Sequence, residues 1–90
     1  MSLVQLESFV AVAEEGHVGR AAQRLHVSQP PLSRRIQALE DELGVTLFLR
    51  TPRGMTLRPE GQRLLGHARA ILARVDAVRR DVGPTGSVVP

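Results

Sequence analysis

The chain has 90 residues, 42% hydrophobic and 2% aromatic, with a net charge of +3 and no cysteine. That length supports one domain at most, and the absence of cysteine excludes disulfide scaffolds, thiolate zinc sites and cysteine catalysis. Phe9 and Phe48 are too few for base-stacking platforms on single strands. No apolar run approaches the roughly 20 residues of a membrane span, and nothing near the N-terminus reads as a signal peptide, so a cytoplasmic, nucleoid-associated protein is expected.

Leu3, Leu6, Phe9, Val10 and Ala13 recur at helical spacing, which predicts a first helix ending near Gly16. Val18, Ala21, Ala22 and Leu25 share one face of a short second helix, whose small alanines let another helix come close. After a break at His26-Val27, Ser28 reads as an N-cap for a third helix, and Pro30 and Pro31 are tolerated in its first turn. Gly44 ends that helix after Leu43. On its wheel, Leu32, Ile36, Leu39 and Leu43 form the stripe expected to be buried, while Pro30, Arg34, Gln37 and Asp41 point away.

The period then changes. Val45 to Leu49 and Met55 to Leu57 read as two strands joined by Thr51-Pro52-Arg53-Gly54, a hairpin with an arginine at its tip. From Pro59 a long helix is predicted to about Val82, 24 residues and roughly 36 Å at the usual rise. Residues from Gly83 onward have linker composition and are expected to be mobile.

Charge follows this organisation. Every basic residue is arginine; residues 1–45 carry −2 and residues 46–90 carry +5. Gly16 to Leu39 holds four arginines and no acid, and Leu43 to Pro59 holds Arg50, Arg53 and Arg58 and again no acid. Clustered arginine without counter-charge fits phosphate binding; the bland alternative is a solvated basic surface. On the third helix, Arg34 and Arg35 sit toward the positive end of the helix dipole and Glu40, Asp41 and Glu42 at the negative end. Both placements cost about 0.3–1 kcal/mol per charge. A broken local rule of this kind points to a functional demand, here attraction of DNA, unless Glu40 or Glu42 pairs with an arginine across the fold.

Three helices, a hairpin and a fourth helix make a mainly α fold, a winged helix-turn-helix with a long linker or dimerisation helix. The second and third helices form the unit that enters a major groove. Ala21-Ala22, Leu25, Val27-Ser28-Gln29-Pro30-Pro31-Leu32-Ser33, Ile36, Leu39-Glu40, Leu43-Gly44, Leu47-Phe48, Arg50 and Arg53-Gly54 resemble the N-terminal signature of LysR-type transcriptional regulators. The likeness runs over about residues 3 to 82. The Ser-Gln-Pro-Pro variant is similar to members that control aromatic-compound catabolism.

The resemblance implies that Ser28, Gln29, Pro30, Pro31, Ser33 and Arg34 line the major groove or its phosphates, and that Arg53 enters the adjacent minor groove. Arg35 and Arg50 are then phosphate contacts or intramolecular partners, a salt bridge from Arg50 to Glu40 being the alternative for the latter. It implies a winged helix-turn-helix over residues 1–58 (helix-turn-helix about 18–37, wing about 45–58), a linker helix over 59–82 and a tail over 83–90. The tail would lead to an effector-binding domain absent from these residues, the only place where a small-molecule effector is expected. Two positions depart from the pattern: His17-Val18-Gly19 stands where the second helix usually opens with serine or threonine, and Arg58 where threonine often caps the linker helix. Each missing cap costs about 1 kcal/mol.

His17, His26 and His67 show no metal-ligand spacing and no partnered nucleophile, so neither metal, cofactor nor enzymatic activity is expected. Leu64, Ala68, Ile71, Val75, Val78 and Val82 step alternately by four and three residues, a heptad seam. It predicts a homodimer through the linker helix, antiparallel by the resemblance, with a tetramer for the full-length protein. The alternative is a stripe that packs only on its own domain. The reading is sequence-specific double-stranded DNA binding to an interrupted inverted repeat by a bacterial transcription regulator. A sequence-indifferent nucleoid binder and a helical dimerisation module are the competing classes. The hairpin arginine argues against the last.

Overall fold

The computed structural model describes residues 1–84. Along them run α1 (Leu3–Glu15), α2 (Val18–Leu25), α3 (Gln29–Leu43), β1 (Phe48–Thr51), β2 (Gly54–Leu57) and α4 (Pro59–Val82). The part of the tail beyond residue 84 lies outside the described residues.

Each helix begins and ends for a local reason. Ser2 opens α1 with a capping box: its Oγ accepts from the Gln5 amide at 3.1 Å, and its own amide donates to Gln5 Oε1 at 2.9 Å. Gly16 closes α1 in the left-handed region at φ 67°. The cap expected to be missing from α2 is present. His17 is the N-cap, and its Nδ1 accepts from the amides of Gly19 at 3.0 Å and Arg20 at 3.3 Å. An imidazole nitrogen does here what a hydroxyl does elsewhere. At Arg58 the expectation holds, since no side chain caps α4.

The core is aliphatic, as the composition implies, with Phe9, Leu32, Ile36, Leu39 and Leu47 enclosed between the helices. Ala21 and Ala22 are buried where α2 crosses its neighbours. The two aromatic rings meet, Phe9 against Phe48 with centroids 5.4 Å apart, and so join the hairpin to α1.

Leu43, expected in the buried stripe, is 39% exposed. The last turn of α3 buries Glu40 instead, at 7% exposure. Its carboxylate accepts from the Leu47 amide at 2.7 Å, and its carbonyl accepts from Gly44 at 2.8 Å and Val45 at 3.3 Å. These bonds also explain why the first strand begins at Phe48 and not at Val45: the amides of Val45 and Leu47 are already bonded to Glu40. Glu40→Ala is expected to destabilise the domain by about 1–3 kcal/mol, because the Leu47 amide is left buried without a partner. Glu40→Gln, which keeps an acceptor, should lose less. Urea unfolding of the two variants checks the difference.

The hairpin pairs Phe48 with Leu57, Leu49 with Thr56, Arg50 with Met55 and Thr51 with Gly54, leaving Pro52 and Arg53 as the turn. It docks by its backbone where the Met55 amide donates to the Gly16 carbonyl at 3.0 Å, while the Arg58 amide continues the pairing of the two arms by donating to the Leu47 carbonyl at 2.9 Å. Two glycines permit that closeness. A Cβ on Gly54 would lie 2.2 Å from the Gly16 oxygen, and one on Gly61 would lie 2.3 Å from the Leu47 oxygen.

On α4, the seam divides. Ala68 is fully buried and Leu64, half-buried, packs on the same core, so within one copy these two already face their own domain. Leu65 is buried and Leu72 half-buried beside them. Beyond that point Ile71 is 40%, Val78 55% and Val82 74% exposed, with Val75 half-buried. Among the described residues no helix is long and apolar enough to cross a membrane.

Candidate nucleic-acid interface

The turn between α2 and α3 is built on His26, which adopts φ 58° while its amide donates to Gln23 O at 3.2 Å and the Val27 amide donates to Ala22 O at 3.0 Å. That turn presents the start of α3. Ser28 occupies the N-cap position, yet its side chain makes no capping bond. The reason lies in the next residues. A cap hydroxyl accepts from the second or third amide of the helix, and here those positions are Pro30 and Pro31, which have none. The hydroxyl of Ser28 is thus left exposed beside Gln29 and Pro30, and Arg34 is exposed one turn further on. Pro31, Ser33 and Arg35 are half-buried at the edge of this face. Gln37, also outward, donates to Asp41 at 3.0 Å.

The second arm is the hairpin. Thr51 Oγ1 donates to Gly54 O at 3.1 Å and accepts from the Arg53 amide at 3.2 Å, which folds the turn and sets Arg53 at its apex. The expected alternative of an Arg50–Glu40 salt bridge does not occur, because the Glu40 carboxylate is bonded to Leu47 and Arg50 is exposed on β1. His17, Gly19 and Gln29 line one cleft with Arg50 and Thr51, so the head of α3 and the base of the hairpin border the same surface.

The arginines sort by position. Arg24 pairs with Glu14 at 2.8 Å and with Glu15 at 3.3 Å; Arg69 reaches Glu14 at 2.9 Å; Arg58 and Arg79 lie 3.9 Å from Glu60 and Asp76. Arg24 and Arg69 hold the Glu14 carboxyl below its ordinary pKa, through the hydrogen bond from Arg69 first. By contrast, Arg34, Arg35, Arg50 and Arg53 have no carboxylate partner among the described residues. Nor do Glu40 and Glu42 pair with arginine; Glu42 accepts from the Met1 ammonium at 2.6 Å. The helix head and hairpin expected to face DNA thus carry four cations without a carboxylate partner; among the described residues Arg20 on α2 and Arg63, Arg74 and Arg80 on α4 have none either, so lack of pairing alone does not mark the face.

Sequence reasoning missed four contributors. The imidazole cap of His17 and the close approaches at Gly54 and Gly61 have no pattern of their own. Ser8, on the apolar face of α1, is fully buried and accepts a hydrogen bond from Arg35; its signal in the sequence is the break in the apolar pattern.

Residues 3–62 match the family described as bacterial regulatory helix-turn-helix protein, lysR family. The chain is 49% identical over 90 residues to the HTH-type transcriptional regulator ClcR of Pseudomonas putida, covering 98% of this chain and 31% of that protein. A crystal structure of a CbnR DBD–DNA complex superposes with a TM-score of 0.82 at 46% identity, covering 93% of this chain and 100% of that one. A complex of the BenM DBD with benA site 1 DNA gives a TM-score of 0.83 at 45% identity, covering 87% and 91%. The chain spans no more than about a third of the length of the curated relatives it matches.

Proposed function

This chain belongs to the lysR family of bacterial regulatory helix-turn-helix proteins, and from that premise we propose that it is the part of a transcription regulator that reads double-stranded DNA by sequence. The observation that carries this is the unpartnered polar head of α3: the Ser28 hydroxyl, freed by two prolines, beside Gln29 and Arg34. In this reading Ser28, Gln29, Pro30, Pro31, Ser33 and Arg34 lie in the major groove. Arg53 enters the neighbouring minor groove, where arginine suits a narrow A·T-rich width. Arg35 and Arg50 bind phosphates. The role is binding and not catalysis.

Two copies joined through the exposed part of the α4 seam, from Ile71 to Val82, would present two such heads to an interrupted inverted repeat. The tetramer, the small-molecule effector and its site belong to the longer protein, outside these residues. The Ser-Gln-Pro-Pro variant adds that the genes controlled serve aromatic-compound catabolism.

The test compares matched and scrambled duplexes across salt concentrations. Affinity for the matched site should fall with salt at a log–log slope of about −0.9 for each phosphate neutralised. Arg34→Ala and Gln29→Ala should each cost about 1–3 kcal/mol on the matched site and little on scrambled DNA. Equal losses on both would assign the chain to the sequence-indifferent class. An affinity independent of salt would remove the DNA reading altogether.

A further inference from the structure

We propose that Ser8 on α1, outside the helix-turn-helix, is a positioning residue that holds Arg35 ready for a DNA phosphate without neutralising it. The inference rests on the DNA-binding reading above and adds a residue to it. Ser8 is 1% exposed in a stretch whose neighbours Phe9, Val10, Ala11 and Val12 are all apolar and buried. Its hydroxyl donates to the Val4 carbonyl at 2.8 Å, which spends its only proton and leaves the oxygen as an acceptor. Arg35 Nη1 donates to that oxygen at 3.3 Å.

The choice of partner matters. Arg24, Arg58, Arg69 and Arg79 each face a carboxylate, whereas Arg35, like Arg20 on the Glu15 carbonyl, is tied to a neutral oxygen, and it alone of these two carries its full charge to the edge of the reading face. A guanidinium has five N–H donors, and among the described residues Arg35 makes one such bond. The others remain for an anion. Holding the side chain in advance removes the conformational entropy that a free arginine loses on contact, worth roughly three- to tenfold in affinity. Val4 O is also the ordinary helical acceptor of the Ser8 amide, so removing the hydroxyl orphans no backbone group.

A double-mutant cycle on the matched duplex tests this. Ser8→Ala should fold and unfold in urea close to the parent, since alanine suits a helix interior. It should bind about three- to tenfold more weakly with an unchanged salt slope, because the same cation still reaches the phosphate. Arg35→Gln should flatten the slope by about one contact. In the Arg35→Gln background, Ser8→Ala should cost nothing further. An equal loss in both backgrounds, or none in either, would overturn the positioning role while leaving the DNA reading standing. A parent that binds no duplex would overturn both.

Discussion

Ile71→Asp is expected to convert a dimer into a monomer and to abolish tight binding to the inverted repeat. Ile71 begins the part of the α4 seam that its own domain leaves open, 40% exposed and followed by Val75, Val78 and Val82. In an isologous pair it meets apolar side chains, and an aspartate there would be buried without a partner. That costs about 3–5 kcal/mol, enough to separate a short helical pair. Sedimentation should give the monomer mass. Affinity for a single half-site should persist, because Ile71 lies outside the core that supports α2 and α3. A dimeric Ile71→Asp, or one that binds the repeat as the parent does, would refute the assignment of α4 to dimerisation.

Gly54→Ala is expected to be the most damaging single change in the hairpin. At φ 136° the backbone there is one that side chains rarely adopt, and the added Cβ would sit 2.2 Å from the Gly16 carbonyl oxygen. That oxygen also accepts the Met55 amide, so the hairpin cannot retreat without giving up its bond to the end of α1. Strain and displacement together should cost about 3 kcal/mol or more. Gly44→Ala provides the control: φ is 71° but nothing lies within 4 Å of the new Cβ, so only about 1–2 kcal/mol for the left-handed backbone is at stake. Urea midpoints order the two variants. Gly54→Ala should also lose its discrimination for A·T-rich sequence beside the recognition helix, since Arg53 would no longer be held in place. Equal midpoints for the two variants would show that the hairpin is not docked through Gly16.

The elements were legible because their punctuation is local. Gly16 and Gly44 mark the ends of α1 and α3, and Pro59 the start of α4, by their own backbone preferences. What was not legible depends on groups far apart in sequence. Leu43 fits the wheel of α3 yet stays 39% exposed, and Glu40 takes the buried place, where it satisfies the Leu47 amide. The seam on α4 is periodic throughout, and periodicity does not say which partner each position meets. Only packing assigns Leu64 and Ala68 to the domain itself. At the candidate site, charge and placement marked Arg34 and Arg53, and the family resemblance added Gln29. The free hydroxyl of Ser28 needed one further step, the recognition that prolines cannot donate to a cap.

The bridge from Arg69 to Glu14 has a mechanical consequence. It fastens α4 to the end of α1 at a point 13 residues short of Val82, leaving a lever arm of about 20 Å. A rotation of roughly 10° about that fulcrum would swing the far end by about 3.4 Å, the rise of one base pair along each strand. In the dimer proposed above, the angle held by this bridge together with the packing of Leu65, Ala68 and Leu72 would therefore set how many base pairs separate the two half-sites.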